Sequence, residues 1–172
     1  ISNIRYEIEL DIPGDMNKPI HGSETIRFQL SKTDQDVVLD FRQPSNYIKN
    51  VMMRGEAIDY QAESEHIVIP AQHFKTGENE VTIQFRAGDM SLNRNEEFLY
   101  TLFVPDRAAT AIPCFDQPNL KGKYTLTLHT PLDWNALANG PLIKEEKSKN
   151  SRTFYFGETK PVSTYILAFA TG

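Results

Sequence analysis

Residues 98–124 read Phe98-Leu-Tyr-Thr-Leu-Phe-Val-Pro-Asp-Arg-Ala-Ala-Thr-Ala-Ile-Pro-Cys-Phe-Asp-Gln-Pro-Asn-Leu-Lys-Gly-Lys-Tyr124. The stretch opens with an apolar run, Phe98–Val104, and continues into an irregular, proline-rich segment. The run predicts a strand that ends at Pro105, because proline cannot donate a hydrogen bond to a sheet. The prolines that follow predict a rigid loop rather than a helix or a strand.

Three residues of the irregular segment have predicted structural roles. Asp106 is placed to cap a short helical turn through Arg107–Ala111. Asp116 is predicted to accept hydrogen bonds from nearby backbone amides in an Asx-type turn. Cys114 is predicted to be a small buried residue, because nothing near it in sequence supplies the base or positive charge that a nucleophilic thiol needs. A direct contact with substrate is the alternative role for this segment.

Alternating apolar and polar residues flank the stretch on both sides. Ile4–Leu10, Ser23–Leu30, Glu80–Phe85 and Tyr124–Leu128 each alternate with a period of two, which is typical of half-buried strands. The first two are predicted to pair as a hairpin. Strands separated by turn residues at intervals of about 10 residues predict an all-β chain, a β-sandwich of about a dozen mostly antiparallel strands with short helical turns only.

Shorter elements are predicted from local composition. Val37–Phe41 is predicted to be a strand buried on both faces. Ala71–Lys75 is predicted to form one helical turn, and the polar residues Gly88–Glu97 an exposed loop. The apolar residues Tyr165–Ala170 are predicted to form the last strand.

Composition excludes several classes of protein. The 172 residues carry 18 Lys and Arg against 23 Asp and Glu, a net charge of −5. A basic excess is what nucleic acids and anionic membranes attract, so neither is expected as a partner. No apolar run reaches the roughly 18 residues of a transmembrane helix. A single cysteine cannot form an internal disulfide, and the absence of disulfides is compatible with both cytoplasmic and exported proteins. Both ends of the chain look like cuts in a longer protein, so a signal peptide could have been removed and both locations stay open.

The residues contain no recognisable catalytic or metal-binding motif. None of the four histidines lies in H-E-x-x-H, and neither a nucleophile elbow nor a phosphate-binding loop occurs. The carboxylate pairs Glu96-Glu97 and Glu145-Glu146 point to opposite faces of a strand, so neither forms a shared acid–base site. The sequence therefore predicts no catalytic residue and no metal ligand. The aromatic residues are interpreted as core, with a carbohydrate-binding platform as the alternative.

One ordered set of segments resembles a known family. Pro113-Cys-Phe-Asp-Gln-Pro118, followed by Leu120-Lys-Gly-Lys-Tyr-Thr-Leu-Thr-Leu128, resembles the aminopeptidase N family of zinc metallopeptidases. Ile4–Leu10 and Ile20–Ile26 resemble the first two strands of that family. Ser163–Ala170 resembles the strand that ends its first domain. The resemblance covers essentially the whole chain, in the same order.

The resemblance implies a fold and a function. Residues 1–172 would form a single, large, curved, saddle-like β-sandwich, the N-terminal domain of a longer enzyme. Its partners would be the catalytic domain of the same chain, on which it packs, and a peptide substrate. The domain would form part of the wall of the cavity that binds this substrate. Zinc, its ligands and the general base are expected in that catalytic domain, which is absent here. The fragment itself is expected to hold no cofactor and to be inert as a peptidase.

Two positions depart from the family pattern. Family members place a Gln or Glu shortly before the Pro-Cys-Phe-Asp motif, where it helps to hold the free α-amino group of the substrate. Gapless alignment puts Leu102 and Val104 at these substrate-adjacent positions, and neither side chain accepts a hydrogen bond from an ammonium group. This departure leaves three possibilities. The amine is held mainly by carboxylates of the catalytic domain, or the substrate specificity has shifted towards apolar or atypical substrates, or the parent protein is not an aminopeptidase.

Two other functions remain as alternatives. The chain would be a scaffold or binding domain if the parent has lost catalysis, or a stand-alone carbohydrate- or protein-binding sandwich, since fold alone does not determine function. In the isolated domain we expect an exposed apolar face that normally meets the catalytic domain, and dimerisation through it.

Overall fold

The computed structural model describes residues 1–172. It contains fifteen strands, four short 3₁₀ turns and no α-helix. In chain order the strands are β1 (Ser2–Asp11), β2 (His21–Leu30), β3 (Val37–Asp40), β4 (Ile48–Met53), β5 (Glu56–Ala57), β6 (Gln61–Glu63), β7 (His66–Ile69), β8 (Gly77–Arg86), β9 (Leu92–Arg94), β10 (Leu99–Thr101), β11 (Gly122–Pro131), β12 (Ala136–Ala138), β13 (Leu142–Lys147), β14 (Ser151–Phe156) and β15 (Phe169–Thr171). The 3₁₀ turns are Ser45–Tyr47, Ala71–His73, Ala108–Thr110 and Thr164–Ile166. The prediction of an all-β chain with short helical turns only is confirmed.

The largest sheet has eight strands in the order β13-β14-β11-β1-β2-β8-β4-β5. Strands β1 and β2 form the predicted hairpin, with Asp11 opposite His21. Strand β11 lies on the other side of β1 and runs parallel to it, with Ile4 opposite Gly122. Every other neighbouring pair in this sheet is antiparallel. The centre of the sheet therefore joins the first strand of the chain to residues more than a hundred positions later.

Two smaller sheets complete the fold. A three-stranded sheet has the order β3-β7-β6, and a four-stranded sheet has the order β12-β15-β10-β9. The four-stranded sheet, which we call the C-terminal sheet, contains the strand of the decisive stretch and the last strand of the chain. All of its pairs are antiparallel.

One hydrophobic core connects the three sheets. It contains 40 buried residues, including Ile26 of the eight-stranded sheet, Leu39 of the three-stranded sheet and Leu99 of the C-terminal sheet. The alternation in β1, β2 and β11 directs one row of side chains inward, and Tyr6 stacks on Tyr124 with ring centroids 4.8 Å apart. The period-two pattern thus buries one face of each long strand.

Three local predictions were wrong. The predicted loop Gly88–Glu97 contains β9, because buried Leu92 brings three residues to the edge of the C-terminal sheet. Strand β3 is not buried on both faces, since Val38 is exposed. The predicted last strand is shorter than expected, because Thr164–Ile166 forms a 3₁₀ turn and pairing begins only at Phe169. The helical turn predicted after Pro70 is confirmed at Ala71–His73.

No helical segment has the length and hydropathy needed to cross a membrane.

Candidate functional site

The C-terminal sheet covers the core with one face and leaves apolar side chains exposed on the other. Along β10 and its continuation, Leu99 and Phe103 are buried, whereas Tyr100, Leu102 and Val104 are 44%, 50% and 55% exposed. This is the inside–outside alternation of an extended chain, with apolar residues on both faces. Exposed apolar patches of this kind mark interaction surfaces.

Neighbouring strands enlarge this surface. Ala170 of β15 lies between its register partners Tyr100 of β10 and Leu137 of β12, and Leu137 is 75% exposed. Phe98 stacks on Tyr100 with ring centroids 5.9 Å apart. We call Phe98, Tyr100, Leu137 and Ala170 the apolar patch. They line a surface depression of 270 Å³ that also includes Gly172.

Leu102 and Val104, the substrate-adjacent positions implied by the resemblance, are the next two outward-facing residues after Tyr100. The backbone amide of Leu102 donates to the carbonyl of Ser91 at 2.9 Å, so this part of the chain is still held against the residues before β9. Their exposed side chains extend the apolar surface of β10 towards the irregular segment. Their role beside a substrate stays a prediction.

The irregular segment after Val104 is fixed by the carboxylates of two residues, buried Asp116 and half-buried Asp40. The two oxygens of Asp116 accept hydrogen bonds from the Thr164 hydroxyl at 2.6 Å and from the Ala109 amide at 3.1 Å. The first bond joins the segment to the residues before β15, and the second holds the 3₁₀ turn Ala108–Thr110. Asp116 therefore fixes the loop to two other parts of the fold.

Asp40, at the end of β3, holds the other side of the segment. One of its carboxylate oxygens accepts from the Asp116 amide at 2.9 Å and from the Gln117 side chain at 2.8 Å. Its backbone also exchanges two hydrogen bonds with Cys114, of 2.8 Å and 3.0 Å. In addition, the Tyr6 hydroxyl accepts from the Phe115 amide at 3.1 Å. Each of the residues 114–117 is thus hydrogen-bonded to either β1 or β3.

The predicted roles of Asp116 and Asp106 can be compared with these contacts. Asp116 does accept a hydrogen bond from a backbone amide, but the predicted Asx-type turn was wrong, because the amide lies seven residues earlier and the second donor is Thr164. Asp106 does not cap the turn: the residue directly before the 3₁₀ residues is Arg107, which makes no side-chain cap, and the Asp106 carboxylate instead lies 3.6 Å from Arg42. The predicted cap was therefore wrong, and the Ala109 amide of the turn donates to Asp116, a residue later in the chain. Sequence reasoning missed Asp40, whose partners lie 76 and 77 residues away, and no local signal pointed to it.

Cys114 is fully buried, as predicted. Burial raises the pKa of its thiol well above the usual value, and the nearby carboxylate of Asp116 acts in the same direction. The thiolate is the nucleophilic form, and a raised pKa disfavours it. Cys114 therefore acts here as a packing residue.

The histidines are dispersed over the fold. His129 bonds Glu9 at 2.6 Å and Thr153 at 2.9 Å, and His73 bonds Asp59 at 2.5 Å. The Nδ1 atom of His66 lies 3.0 Å from the Asp40 carboxylate but makes no hydrogen bond with it. No three His, Cys, Asp or Glu side chains are grouped to hold a metal ion. The side chains of this chain therefore do not form the group of three or four ligands that a zinc ion requires.

Comparisons with known proteins agree with this architecture. The sequence profile of the Peptidase M1 N-terminal domain matches residues 2–166. The chain is 30% identical over 171 residues to a probable M1 family aminopeptidase 1 of Encephalitozoon cuniculi, covering 88% of this chain and 19% of that protein. It is 26% identical over 177 residues to a leucyl aminopeptidase of Saccharolobus solfataricus, covering 98% and 22%.

A solved structure has the same fold. The M1 zinc metallopeptidase of Deinococcus radiodurans superposes with a TM-score of 0.81 at 16% identity, covering 99% of this chain and 42% of that one. The chain thus spans about a fifth of these curated relatives and less than half of this solved structure. Since the profile match extends over nearly all its residues, the chain belongs to the Peptidase M1 N-terminal domain family.

Proposed function

We propose that this chain is the non-catalytic N-terminal domain of a zinc-dependent aminopeptidase that removes N-terminal residues from peptides. It packs on the catalytic domain of the same enzyme and forms part of the wall of the substrate cavity. The observation that carries the proposal is the apolar patch on the C-terminal sheet, beside Gly172. An apolar surface of a folded domain is stabilised when a second domain covers it.

The side chains of this chain indicate what each domain of the enzyme contributes. The chain offers no cluster of ligands for zinc, so zinc, the activated water and the general base belong to the catalytic domain. What this domain contributes is a rigid surface. The segment around Asp116 is already hydrogen-bonded on both sides before any substrate arrives, so little conformational entropy remains to be lost on binding.

We further propose that Leu102 and Val104 line the cavity near the N-terminal end of the peptide. Their apolar side chains exclude water but offer no acceptor to the α-amino group. Carboxylates of the catalytic domain then hold the amine alone. This arrangement favours substrates with an apolar first residue, because the wall beside that residue is itself apolar.

The proposal is tested with a longer protein that includes the residues after Gly172. That protein should hydrolyse aminoacyl anilides, lose activity to a chelator and regain it with zinc, while the 172-residue chain alone shows no hydrolysis. The alternative function is a scaffold or binding domain of a catalytically lost enzyme, which the apolar Leu102 and Val104 favour. A longer protein that binds no zinc and cleaves no anilide would establish that alternative.

Val104→Glu in the longer protein tests the position of that residue. A carboxylate at the cavity wall should bind the substrate ammonium group and lower KM by about ten- to a hundredfold, since a charge-assisted hydrogen bond contributes about 1.5–3 kcal/mol. Val104→Leu is the matched control and should leave KM unchanged. An unchanged KM in Val104→Glu would place residue 104 away from the amine.

A further inference from the structure

A carboxyl group lies inside the core without a partner. Glu24 is on β2, in the same inward-facing row as Ile26 and Phe28, and it is 1% exposed. Neither of its carboxyl oxygens has a hydrogen-bond partner. Its register neighbours are Ile8 on β1 and Ile83 on β8, so the sheet around it is apolar.

The titratable side chains buried in the same core are Tyr6 on β1, Tyr124 on β11 and Cys114 in the segment before β11, and each of them is uncharged in its protonated form. Tyr6 lies opposite Ile26, the next inward-facing residue of β2 after Glu24, and Tyr124 lies opposite Tyr6. The Tyr124 hydroxyl also lacks a partner, and the Tyr6 hydroxyl accepts from Phe115. No basic side chain offsets a charge on Glu24, and desolvation by burial raises its pKa well above the ordinary value of 4.5.

An unpaired carboxylate is far less stable in such surroundings than a neutral carboxylic acid. Glu24 is therefore protonated while the core is closed. If the core opens and water reaches Glu24, the group regains its ordinary acidity and releases its proton at neutral pH. Opening is thus coupled to the loss of one proton.

We propose that Glu24 is an internal acid that makes the packing of the Pro113–Pro118 segment on the eight-stranded sheet weaken as the pH rises. The segment contacts the row of Glu24 through Tyr6, which lies opposite Ile26 on β2 and accepts a hydrogen bond from the Phe115 amide, and the backbone of its Cys114 bonds to Asp40. Asp116, two residues later, connects to the residues before β15 through Thr164. A change at Glu24 thereby reaches the segment that fixes the C-terminal sheet, which gives the domain a response to pH beyond its proposed role as a cavity wall.

The direction of the effect follows from proton linkage. Because the acidity of Glu24 is lower in the closed state, the stabilisation is complete below pH 4.5, where both states are protonated. Above that pH the open state releases a proton that the closed state keeps. The equilibrium constant for opening should then rise about tenfold per pH unit, until the pH reaches the closed-state pKa of Glu24.

Cys114 provides the measurement, since it is the only thiol of the chain. We would measure its labelling by a thiol reagent from about pH 5 to about pH 8, below the ordinary cysteine pKa of 9.0. Dividing each rate by that of the urea-unfolded chain at the same pH removes the intrinsic chemistry of the thiolate. Rates proportional to reagent concentration show that labelling reports the opening equilibrium.

The wild-type opening constant should rise about tenfold per pH unit, and Glu24→Gln should abolish this rise. Glu63→Gln, which neutralises an exposed carboxylate on β6, should behave like the wild type. Glu24→Met should repeat the result of Glu24→Gln, because it also removes the titration. Equal pH slopes in wild type and Glu24→Gln would overturn the proposal. So would failure of both neutral variants to fold, since removal of the buried acid is expected to stabilise the fold at neutral pH.

Discussion

The carboxylate of Asp116 accepts one hydrogen bond from a side chain 48 residues later and one from a backbone amide seven residues earlier. Its amide in turn donates to Asp40. Individual residues with distant partners therefore hold the segment that has no regular secondary structure. Buried polar groups of this kind are important for stability because each one loses water on folding and must find its partner inside the protein.

Asp116→Asn should destabilise the chain. A carboxamide keeps one oxygen acceptor and turns the other oxygen into an NH₂ donor, which cannot accept from both Ala109 and Thr164. We expect the free energy of unfolding to fall by about 1.5–3 kcal/mol, the range for hydrogen bonds to charged groups, in urea denaturation. Asp106→Asn, at an exposed position 3.6 Å from Arg42, is the control and should leave stability unchanged. Equal stability of both variants would contradict the structural role of Asp116.

Tyr6 and Tyr124 provide a matched pair. Their rings stack on each other, but the Tyr6 hydroxyl accepts from the Phe115 amide whereas the Tyr124 hydroxyl has no partner. Tyr6→Phe leaves a buried amide unpaired and should lower the free energy of unfolding by about 1–3 kcal/mol. Tyr124→Phe removes an unsatisfied group and should leave stability unchanged or raised. The reverse order in thermal or urea unfolding would show that the hydroxyl contacts are assigned wrongly.

At this scale the sequence supported only some of the assignments. The burial of Cys114 followed from the absence of activating neighbours. The cap at Asp106 was wrong because Arg107 separates it from the turn, whose Ala109 amide donates to Asp116. Asp40 was missed because hydrogen bonds between residues more than 70 positions apart leave no local pattern. The side chains of Leu102 and Val104 are exposed, and their contact with a substrate stays a prediction because it depends on residues outside this chain.

At the scale of elements, alternation predicted the long strands well. Strands β1, β2, β8 and β11 each have ten residues with one buried face, so the period-two signal repeats several times. Strand β9 has three residues and a single buried one, which is too short for a period to be visible. The end of the chain was over-predicted because bonds at Ser163 and Thr164 hold it in a 3₁₀ turn before β15.

The two faces of the C-terminal sheet should respond differently to the same substitution. Leu99→Ala removes a side chain that is 1% exposed and should cost about 2–5 kcal/mol of unfolding free energy. Leu137→Ala removes a side chain from the opposite, solvent-exposed face and should change stability by less than about 0.5 kcal/mol. Similar losses in both variants, measured by urea denaturation, would mean that the apolar patch is covered within this chain.

The strand order of the whole molecule was beyond prediction from sequence. The parallel pair β1–β11 joins residues more than a hundred positions apart, such as Ile4 and Gly122, across the centre of the largest sheet. Alternation shows that such strands have a buried face but gives no information about which strand lies beside which. The all-β class was predictable because it depends only on the number and type of elements.

The isolated chain should associate through its uncovered face. We expect light scattering to show a reversible, concentration-dependent dimer, because association removes the apolar patch from water. Tyr100→Lys combined with Leu137→Lys should shift the chain to monomer without unfolding it, since both side chains are exposed. Association that is unaffected by these substitutions would place the contact elsewhere.

We propose that the apolar patch is the surface on which the rest of the enzyme packs. Hydroxyl-radical footprinting of the 172-residue chain and of the longer protein is the decisive measurement. Phe98, Tyr100 and Leu137 should be modified readily in the short chain and strongly protected in the longer protein. Ile143 on β13, exposed on the edge of the eight-stranded sheet, should be modified equally in both. Equal modification of the apolar patch in the two proteins would contradict the claim.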